Sequence, residues 1–245
     1  MNNTLNDKIS EQSLLDAYAK KGYTVFSDQS KNYNLNIGAV RSLAGFKDVN
    51  HFNDVMFYFW YFGGQLHLVK NAGTTHPGLY YFQKPMAASG THILAPNQYR
   101  GCYALGRHMN LYPALCQKTL DFEFYVDNDK DGNMDLNGTP VKLNYFAGIN
   151  CHGTVSANFP TVESFLAYKF PADSDEQVVW NWSAGCMVTA RDSAYQEFIR
   201  CVYESSKTWG NSFTYTLFEE ADFDESVQAT LRMASVSADL NSSGT

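Results

Sequence analysis

The chain has 245 residues and a formal net charge of −7, from 18 Lys and Arg against 25 Asp and Glu. No block of basic residues occurs, so the charge pattern is neither that of a nucleic-acid binder nor that of a protein held to anionic membranes. No apolar run reaches the length of a membrane span, and the first residues lack the layout of a secretory signal. We therefore expect synthesis in the cytoplasm without a signal peptide, and no nucleic-acid or membrane partner.

Five cysteines are spread irregularly along the chain, at Cys102, Cys116, Cys151, Cys186 and Cys201. An odd number without paired CxxC spacing argues against a disulfide framework and against a zinc site built on such pairs. The sequence therefore predicts reduced thiols in a reducing compartment, and we expect no cofactor.

The first predicted element is a short helix. Ser10 is a good N-cap, apolar side chains fall on one face as far as Lys21, and Gly22 can end the helix. We divide the chain into an N-terminal helical appendage over residues 1–22, a main domain over 23–218, and an acidic, Ser/Ala-rich C-terminal tail over 219–245.

Strand patterns dominate the main domain, in keeping with an aromatic content of 15%. A later helix is predicted from Asp192 to about Lys207, ended by Gly210. We expect one mainly β, β-rich α+β domain, a mostly antiparallel β-sandwich or barrel with peripheral helices. The predicted strands lie at 36–41, 54–62, 65–70, 79–82, 92–94, 99–105, 119–126, 141–150 and 212–218.

The acidic stretch from Asp127 to Asp135 follows the strand predicted at 119–126. Its alternating acids, with Gly132 at the sixth position, are similar to the start of an EF-hand calcium loop. The twelfth position is Gly138 rather than glutamate, and both flanks have strand patterns. The pattern therefore favours an acidic β-hairpin loop over a calcium site, and no metal is expected.

The small-residue turn before Cys186 is the strongest candidate for chemistry. Ala184-Gly185 suits a tight turn that holds a nucleophile beside backbone amides, where an oxyanion is stabilised. Upstream, His152 ends a predicted strand and supplies the base that a thiol needs at neutral pH. Cys151 alternates with His152 and is expected to face the core. On these residues alone, two buried side chains without a joint role remain the alternative.

Three motifs resemble the catalytic domain of the L,D-transpeptidases, which cross-link or trim bacterial peptidoglycan through a cysteine acyl-enzyme. They are His152-Gly153-Thr154, Ser183-Ala184-Gly185-Cys186 and Thr75-His76-Pro77-Gly78-Leu79-Tyr80. The last is similar to a Thr-Pro-x-Gly-x-Tyr/Phe strand that borders the family's substrate cleft. The chain departs from the family at Ala184, where a second histidine is usual, and at Val188, where an arginine often stands. The segment between the histidine and the cysteine is also longer than usual.

The resemblance implies a cysteine-dependent acyl-transfer enzyme that acts on peptidoglycan stem peptides, by transpeptidation or by L,D-peptidase hydrolysis. The lack of a secretory signal favours a phage lysin or a delivered effector. Cys186 is the implied nucleophile and His152 the base, while the amides of Gly185 and Cys186 hold the oxyanion and Ser183 braces the turn. Thr154 is expected to orient His152. Gly153, Thr154, Thr75 and His76 are the implied residues of the substrate cleft.

Other side chains are candidates for the same cleft. His108 follows Arg107 after a predicted strand, so the two are candidates to bind a carboxylate, with a packing role for His108 as the alternative. Trp180 and Trp182 flank the cysteine turn and suit either a sugar or peptide site or buried packing. The alternative function is a non-catalytic peptidoglycan-binding or virion protein that retains the fold, and a second is a cysteine peptidase with other substrates.

Overall fold

The computed structural model describes residues 3–171 and 176–223, and within these ranges the chain forms five α-helices and eleven strands. Of the C-terminal tail predicted over residues 219–245, the part beyond Phe223 lies outside the described residues. The helices are α1 (Asn3–Lys8), α2 (Glu11–Lys21), α3 (Leu79–Gln83), α4 (Val162–Ala167) and α5 (Asp192–Trp209). The strands are β1 (Asn36–Arg41), β2 (Asp54–Phe62), β3 (Gln65–Thr74), β4 (Thr91–Leu94), β5 (Gln98–His108), β6 (Tyr112–Gln117), β7 (Glu123–Asp127), β8 (Val141–Lys142), β9 (Cys151–Gly153), β10 (Met187–Thr189) and β11 (Phe213–Glu219).

Eight of the strands close into a barrel, in the order β1-β11-β5-β6-β9-β10-β3-β2. The barrel is mostly antiparallel, with two parallel pairs, β1 with β11 and β9 with β10. Closure leaves no unpaired edge in this sheet. The remaining strands form a separate three-stranded sheet in the order β4-β7-β8. The chain is therefore mainly β with peripheral helices, and the predicted fold class is confirmed.

The hairpin of β2 and β3 forms the longest ladder of the barrel. It pairs Asp54 with Gly73 at one end and Phe62 with Gln65 at the other. The turn residues between the strands, Gly63-Gly64, have φ angles of 62° and 78°. Two consecutive positive φ angles match the twist of the flanking strands, and glycine adopts them without a Cβ penalty. The predicted tight connection is confirmed.

The N-terminal helices pack on the barrel through an apolar cluster of their own. As predicted, Ser10 caps α2 and Gly22 ends it, with a left-handed φ of 67°. Tyr18 is fully buried, with its ring 5.7 Å from that of Phe59 and 5.1 Å from that of Phe218. The appendage is therefore fixed to β2 and β11.

The strand predicted at 79–82 is instead the short helix α3. Its aromatic residues have high strand propensity, but propensity yields to tertiary contacts. Gly78, the N-cap of α3, donates its N–H to the carbonyl of Ser183, so the chain turns into α3 at the cysteine loop.

Two other predicted strands are shorter than their patterns suggested. The 141–150 strand is reduced to β8, and the chain turns at Gly148, whose φ is +71°. In the 119–126 strand, pairing begins only at Glu123, and Leu120 is 40% exposed. Apolar alternation alone therefore overestimated how far these segments pair.

Helix α5 covers part of the barrel core with its apolar face. Tyr195, Phe198, Ile199 and Val202 are buried, and the Tyr195 hydroxyl donates to the Pro113 carbonyl at 2.6 Å. Among the described residues, no helix combines the length and apolar character needed to cross a membrane.

Candidate active site

Cys186 lies on a bent segment directly before β10. Gly185 has a φ of +132°, and a Cβ there would lie 2.9 Å from Ile149 Cδ1 and 3.0 Å from the carbonyl oxygen of His92. Only glycine suits this position. Ser183 Oγ accepts from the Gly185 N–H at 3.1 Å and donates to the Cys186 carbonyl at 2.8 Å, so Ser183 braces the turn. That bond occupies the Gly185 amide, whereas the Cys186 amide has no acceptor among the described residues.

The parallel pairing of β9 with β10 brings His152 next to Cys186. Met187 pairs with Cys151 and Val188 with His152. Because side chains alternate along a strand, Cys186 and His152 lie on one side of the pair. Cys151 is on the other side, buried with Met187 in the barrel core, as expected. A ring nitrogen of His152 and Sγ of Cys186 lie within 4.8 Å of each other.

Hydrogen bonds fix the tautomer of His152. Nδ1 lies 2.8 Å from the carbonyl oxygen of Gly153, which can only accept, so Nδ1 carries the proton. The Tyr112 hydroxyl donates to the same carbonyl at 3.0 Å, and its oxygen lies 3.2 Å from Nδ1. Nε2 is therefore unprotonated; it is buried and has no hydrogen-bond partner among the described residues. Burial, and then the nearby His108, lower the pKa of His152 to about 3.

The thiol of Cys186 is nearly sealed from solvent, with 7% of the residue exposed. The backbone N–H of Asn150 donates to Sγ at 3.4 Å, and the thiol donates to the carbonyl of Gly148 at 3.6 Å. Burial raises the pKa of Cys186 to about 11, although the Asn150 amide acts in the opposite direction. Thiol and imidazole are therefore both neutral at neutral pH.

A second imidazole, that of His108 at the end of β5, stacks on His152. The ring centroids are 3.9 Å apart and the planes differ by 23°. Nδ1 of His108 lies 3.1 Å from the side-chain amide nitrogen of Asn150. Burial lowers the pKa of His108, so this ring is also neutral at neutral pH.

His108, His152 and Cys186 each offer one potential metal ligand, and the three atoms lie within 4.8 Å of one another. A metal bound to both imidazoles must lie in the plane of each ring. The two rings are face to face, so their planes meet far beyond a zinc–nitrogen bond length of about 2.0–2.1 Å. In this arrangement the three groups suit proton transfer and hydrogen bonding, not metal coordination.

The acidic loop brings carboxylate oxygens of Asp127, Asp129 and Asp135 within 4.8 Å of one another. The loop joins β7 to β8, so its flanks are strands, as predicted. Burial raises the pKa of the Asp127 carboxyl, although that carboxylate also accepts from the Asp135 amide at 3.0 Å. The preference for an acidic turn over a calcium loop stays a prediction.

Thr75 and His76, predicted to line the cleft, lie instead in a buried polar network. Asp54 accepts from the amide and the hydroxyl of Thr75, both at 2.7 Å. Arg41 donates to the hydroxyl and the carbonyl of Thr75. His76 is fully buried, with Nδ1 2.9 Å from the Pro77 carbonyl oxygen. These side chains fasten the end of β3 to β1 and β2 and are not accessible to a substrate.

Thr154 and Gly153 also have structural contacts in place of the expected ones. Thr154 Oγ1 lies 3.2 Å from the Ala190 carbonyl oxygen and 3.0 Å from Asp192 Oδ1, so it braces the start of α5 and does not orient His152. A Cβ at Gly153 would lie 2.6 Å from the ring of Tyr195. Glycine at this position lets α5 pack directly on β9.

The predicted carboxylate-binding pair of Arg107 and His108 does not form. Arg107 Nη2 donates to the backbone carbonyls of Leu111 and Phe159, at 3.0 Å and 3.1 Å. Neighbouring side chains of a strand face opposite ways, so His108 faces the thiol while Arg107 secures a loop.

The three motifs that carry the resemblance meet at the cysteine turn. The backbone N–H of Gly78 donates to the carbonyl of Ser183 at 2.9 Å. Trp180, which is 42% exposed, lies edge-on to Tyr80 with ring centroids 5.6 Å apart, and Trp182 is half-buried. Of the two tryptophans, Trp180 is the more accessible beside the turn.

Tyr112 and Asn150 complete the site, and neither was predicted from the sequence. Tyr112 pairs with His108 across the β5–β6 hairpin. Asn150 contacts the thiol through its backbone and His108 through its side chain. The only signal in the sequence was position: Asn150 stands two residues before His152, and Tyr112 stands four residues after His108.

The site therefore combines a buried thiol with an imidazole whose tautomer is set for accepting a proton. A search of models of known protein families, of curated proteins and of solved structures found no match to this chain.

Proposed function

We propose that the chain is a cysteine-dependent acyl-transfer enzyme of L,D-transpeptidase type, acting on peptidoglycan stem peptides. One observation carries the proposal: Nδ1 of His152 is held by the Gly153 carbonyl, so Nε2 is left as an unprotonated base on the side of the ladder that holds Cys186. The meeting of Gly78 with Ser183 adds support, because it joins the motifs on which the resemblance rests.

The first chemical step transfers a proton and forms one bond. The thiol proton of Cys186 passes to Nε2 of His152, Sγ bonds to the carbonyl carbon, and the π electron pair moves to oxygen. The oxyanion then re-forms the carbonyl, the C–N bond breaks, and the imidazolium returns its proton to the leaving amine. Water or an amine next attacks the thioester carbon and gives a proton to Nε2 of His152. The C–S bond then breaks and the proton passes to Sγ, which restores the thiol and gives hydrolysis or transpeptidation.

The neutral resting state decides how the thiol is activated. A preformed imidazolium–thiolate pair is disfavoured, because burial opposes charge on both groups. Proton transfer to His152 therefore accompanies attack on the carbonyl. The two groups lie within 4.8 Å of each other, and Nε2 of His152 makes no hydrogen bond among the described residues. The contact would tighten when substrate binds, as catalytic contacts do in unliganded enzymes. In this proposal the enzyme reaches the wall by delivery, as a phage lysin or effector does.

The decisive experiment is mass spectrometry of defined muropeptides after incubation with the wild type, Cys186→Ala and Cys151→Ala. We expect new products with the wild type and with Cys151→Ala, whose thiol faces the core, and none with Cys186→Ala. Equal turnover of plain peptides without D-centres would instead indicate a cysteine peptidase of another class.

The burial of Cys186 favours one competing function, a non-catalytic wall-binding protein that retains the fold. This alternative predicts co-sedimentation with peptidoglycan sacculi and unchanged muropeptides for all three proteins. That result would overturn the enzymatic proposal.

A further inference from the structure

The cysteine turn supplies fewer oxyanion donors than its motif implied. The amide of Gly185 is bonded to Ser183 Oγ, and position 184 is alanine, so no side chain there can donate. Of the two amides that the motif implied, those of Gly185 and Cys186, only that of Cys186 lacks an acceptor among the described residues. Acyl transfer is accelerated when more than one fixed donor meets the developing negative charge on oxygen.

His108 is held with its free N–H available for such a charge. Asn150 Oδ1 accepts from the backbone N–H of Gln117 at 3.1 Å, which fixes the orientation of the amide and turns its NH₂ group toward His108. Nδ1 of His108 therefore accepts, and in the neutral ring the proton resides on Nε2.

Access distinguishes the two stacked rings. Nε2 of His152 is buried without a partner. Nε2 of His108 also makes no hydrogen bond within the described residues, but it retains some exposure to solvent. His108 Nε2 is therefore open to an incoming ligand. The His108 ring also lies beside Cys186, with one of its nitrogens within 4.8 Å of the sulfur.

We propose that His108 is a catalytic residue whose Nε2–H donates a hydrogen bond to the carbonyl oxygen of the substrate as Cys186 attacks. This inference rests on the proposed acyl transfer. The ring donates a hydrogen bond but transfers no proton, so the thiol proton still passes to His152 and on to the leaving amine. Asn150 is the positioning residue that holds the donor tautomer.

The test compares steady-state turnover of a muropeptide substrate by the wild type, His108→Ala and His108→Gln. Loss of one oxyanion donor lowers kcat by roughly 10²–10³-fold, and we expect that loss in His108→Ala with KM changed by less than about threefold. Glutamine retains an N–H donor, so His108→Gln should regain at least about tenfold of the lost kcat. His67→Ala, which removes a histidine stacked on Trp60 of the β2–β3 hairpin, is the matched control and should retain wild-type turnover.

Alkylation of Cys186 by iodoacetamide forms no oxyanion at a substrate carbonyl. It therefore distinguishes a hydrogen bond donated by His108 from a structural effect of the His108 ring on the thiol. We expect His108→Ala to alkylate at the wild-type rate between pH 6 and pH 9. A kcat of His108→Ala within threefold of wild type would overturn the inference, as would an equal loss of turnover and of alkylation.

If His108→Ala does not fold, His108→Leu against His108→Gln gives the same comparison, and equal kcat values would contradict donation. An inactive wild type would instead contradict the proposed function.

Discussion

Gly78 and Ser183 are joined by a backbone hydrogen bond of 2.9 Å that ties the Thr-His-Pro-Gly loop to the cysteine turn. A Cβ at Gly78 would lie 2.0 Å from the carbonyl oxygen of Trp180. Because that atom belongs to the backbone, no rotamer change can relieve the contact. The cysteine turn can therefore keep its position only because residue 78 is glycine, which has no Cβ.

Gly78→Ala should move the cysteine turn and destabilise the protein. We expect a loss of about 2 kcal/mol or more in the free energy of unfolding, because a clash with backbone requires a backbone shift. Chemical denaturation measures the loss, and the muropeptide assay should show reduced turnover. Gly138→Ala is the control, since a Cβ there meets nothing within 4 Å and its φ of +81° costs only local strain of about 1 kcal/mol. Equal losses in the two variants would contradict the prediction.

Tyr112→Phe should weaken the orientation of His152 without removing the base. The hydroxyl contacts both Nδ1 of His152 and the Gly153 carbonyl, and the carbonyl remains as acceptor in the variant. We expect turnover to fall about fivefold, which corresponds to one net hydrogen bond of about 1 kcal/mol. Turnover equal to wild type in a folded protein would show that the phenol does not position the imidazole.

The alkylation of Cys186 should report a thiol that is harder to ionise than free cysteine. Burial favours the neutral thiol, so the apparent pKa should lie above the ordinary value of about 8.5 and toward about 11. The measurement is the iodoacetamide rate at Cys186 against pH, resolved by peptide mass spectrometry, with Cys186→Ala as the blank. A midpoint below pH 8 would indicate a preformed thiolate and contradict the neutral resting state.

His152 should make the fold sensitive to acid. Its pKa is about 3 in the folded chain and about 6.5 when unfolded, so below pH 6.5 the unfolded chain binds a proton that the native ring does not. The stabilisation by the neutral ring is complete above pH 6.5 and is lost as the pH falls toward 3.

The comparison that checks this is the change in the free energy of unfolding between pH 7.5 and pH 4.5 for the wild type and His152→Gln. We expect the wild type to lose roughly 2 kcal/mol more than the variant, because glutamine does not titrate. Identical losses would mean that His152 has an ordinary pKa in the folded protein.

The fold class and several elements could be predicted because their patterns are local. Ser10 and Gly22 mark both ends of α2, and the Gly63-Gly64 turn lies between two strand patterns. The failures occurred where a distant contact overrides local preference. The aromatic 79–82 segment became helical at the Gly78 contact, and the 141–150 segment stopped pairing ahead of Gly148.

Local motifs also account for the part of the site that could be predicted. Cys186 and His152 stand in short motifs, so the sequence was sufficient to propose them. His108 was assigned to a carboxylate because its neighbour Arg107 is basic, but strand alternation places the two on opposite faces. Tyr112 reaches His152 through a hydrogen bond between strands that are distant in sequence, and no local pattern encodes that contact.

The parallel pairing of β9 with β10 has a consequence for how such a protein diversifies. Parallel neighbours cannot be joined by a tight turn, so a long crossover between the histidine and the cysteine is a geometric necessity. Residues 154–186 form this crossover, which contains α4. Insertions and deletions ahead of the cysteine turn leave the imidazole and the sulfur in place as long as the turn keeps its contacts and both ends remain in the ladder. If the proposed acyl transfer holds, the crossover is the segment in which substrate preference can change while Cys186 and His152 keep their positions.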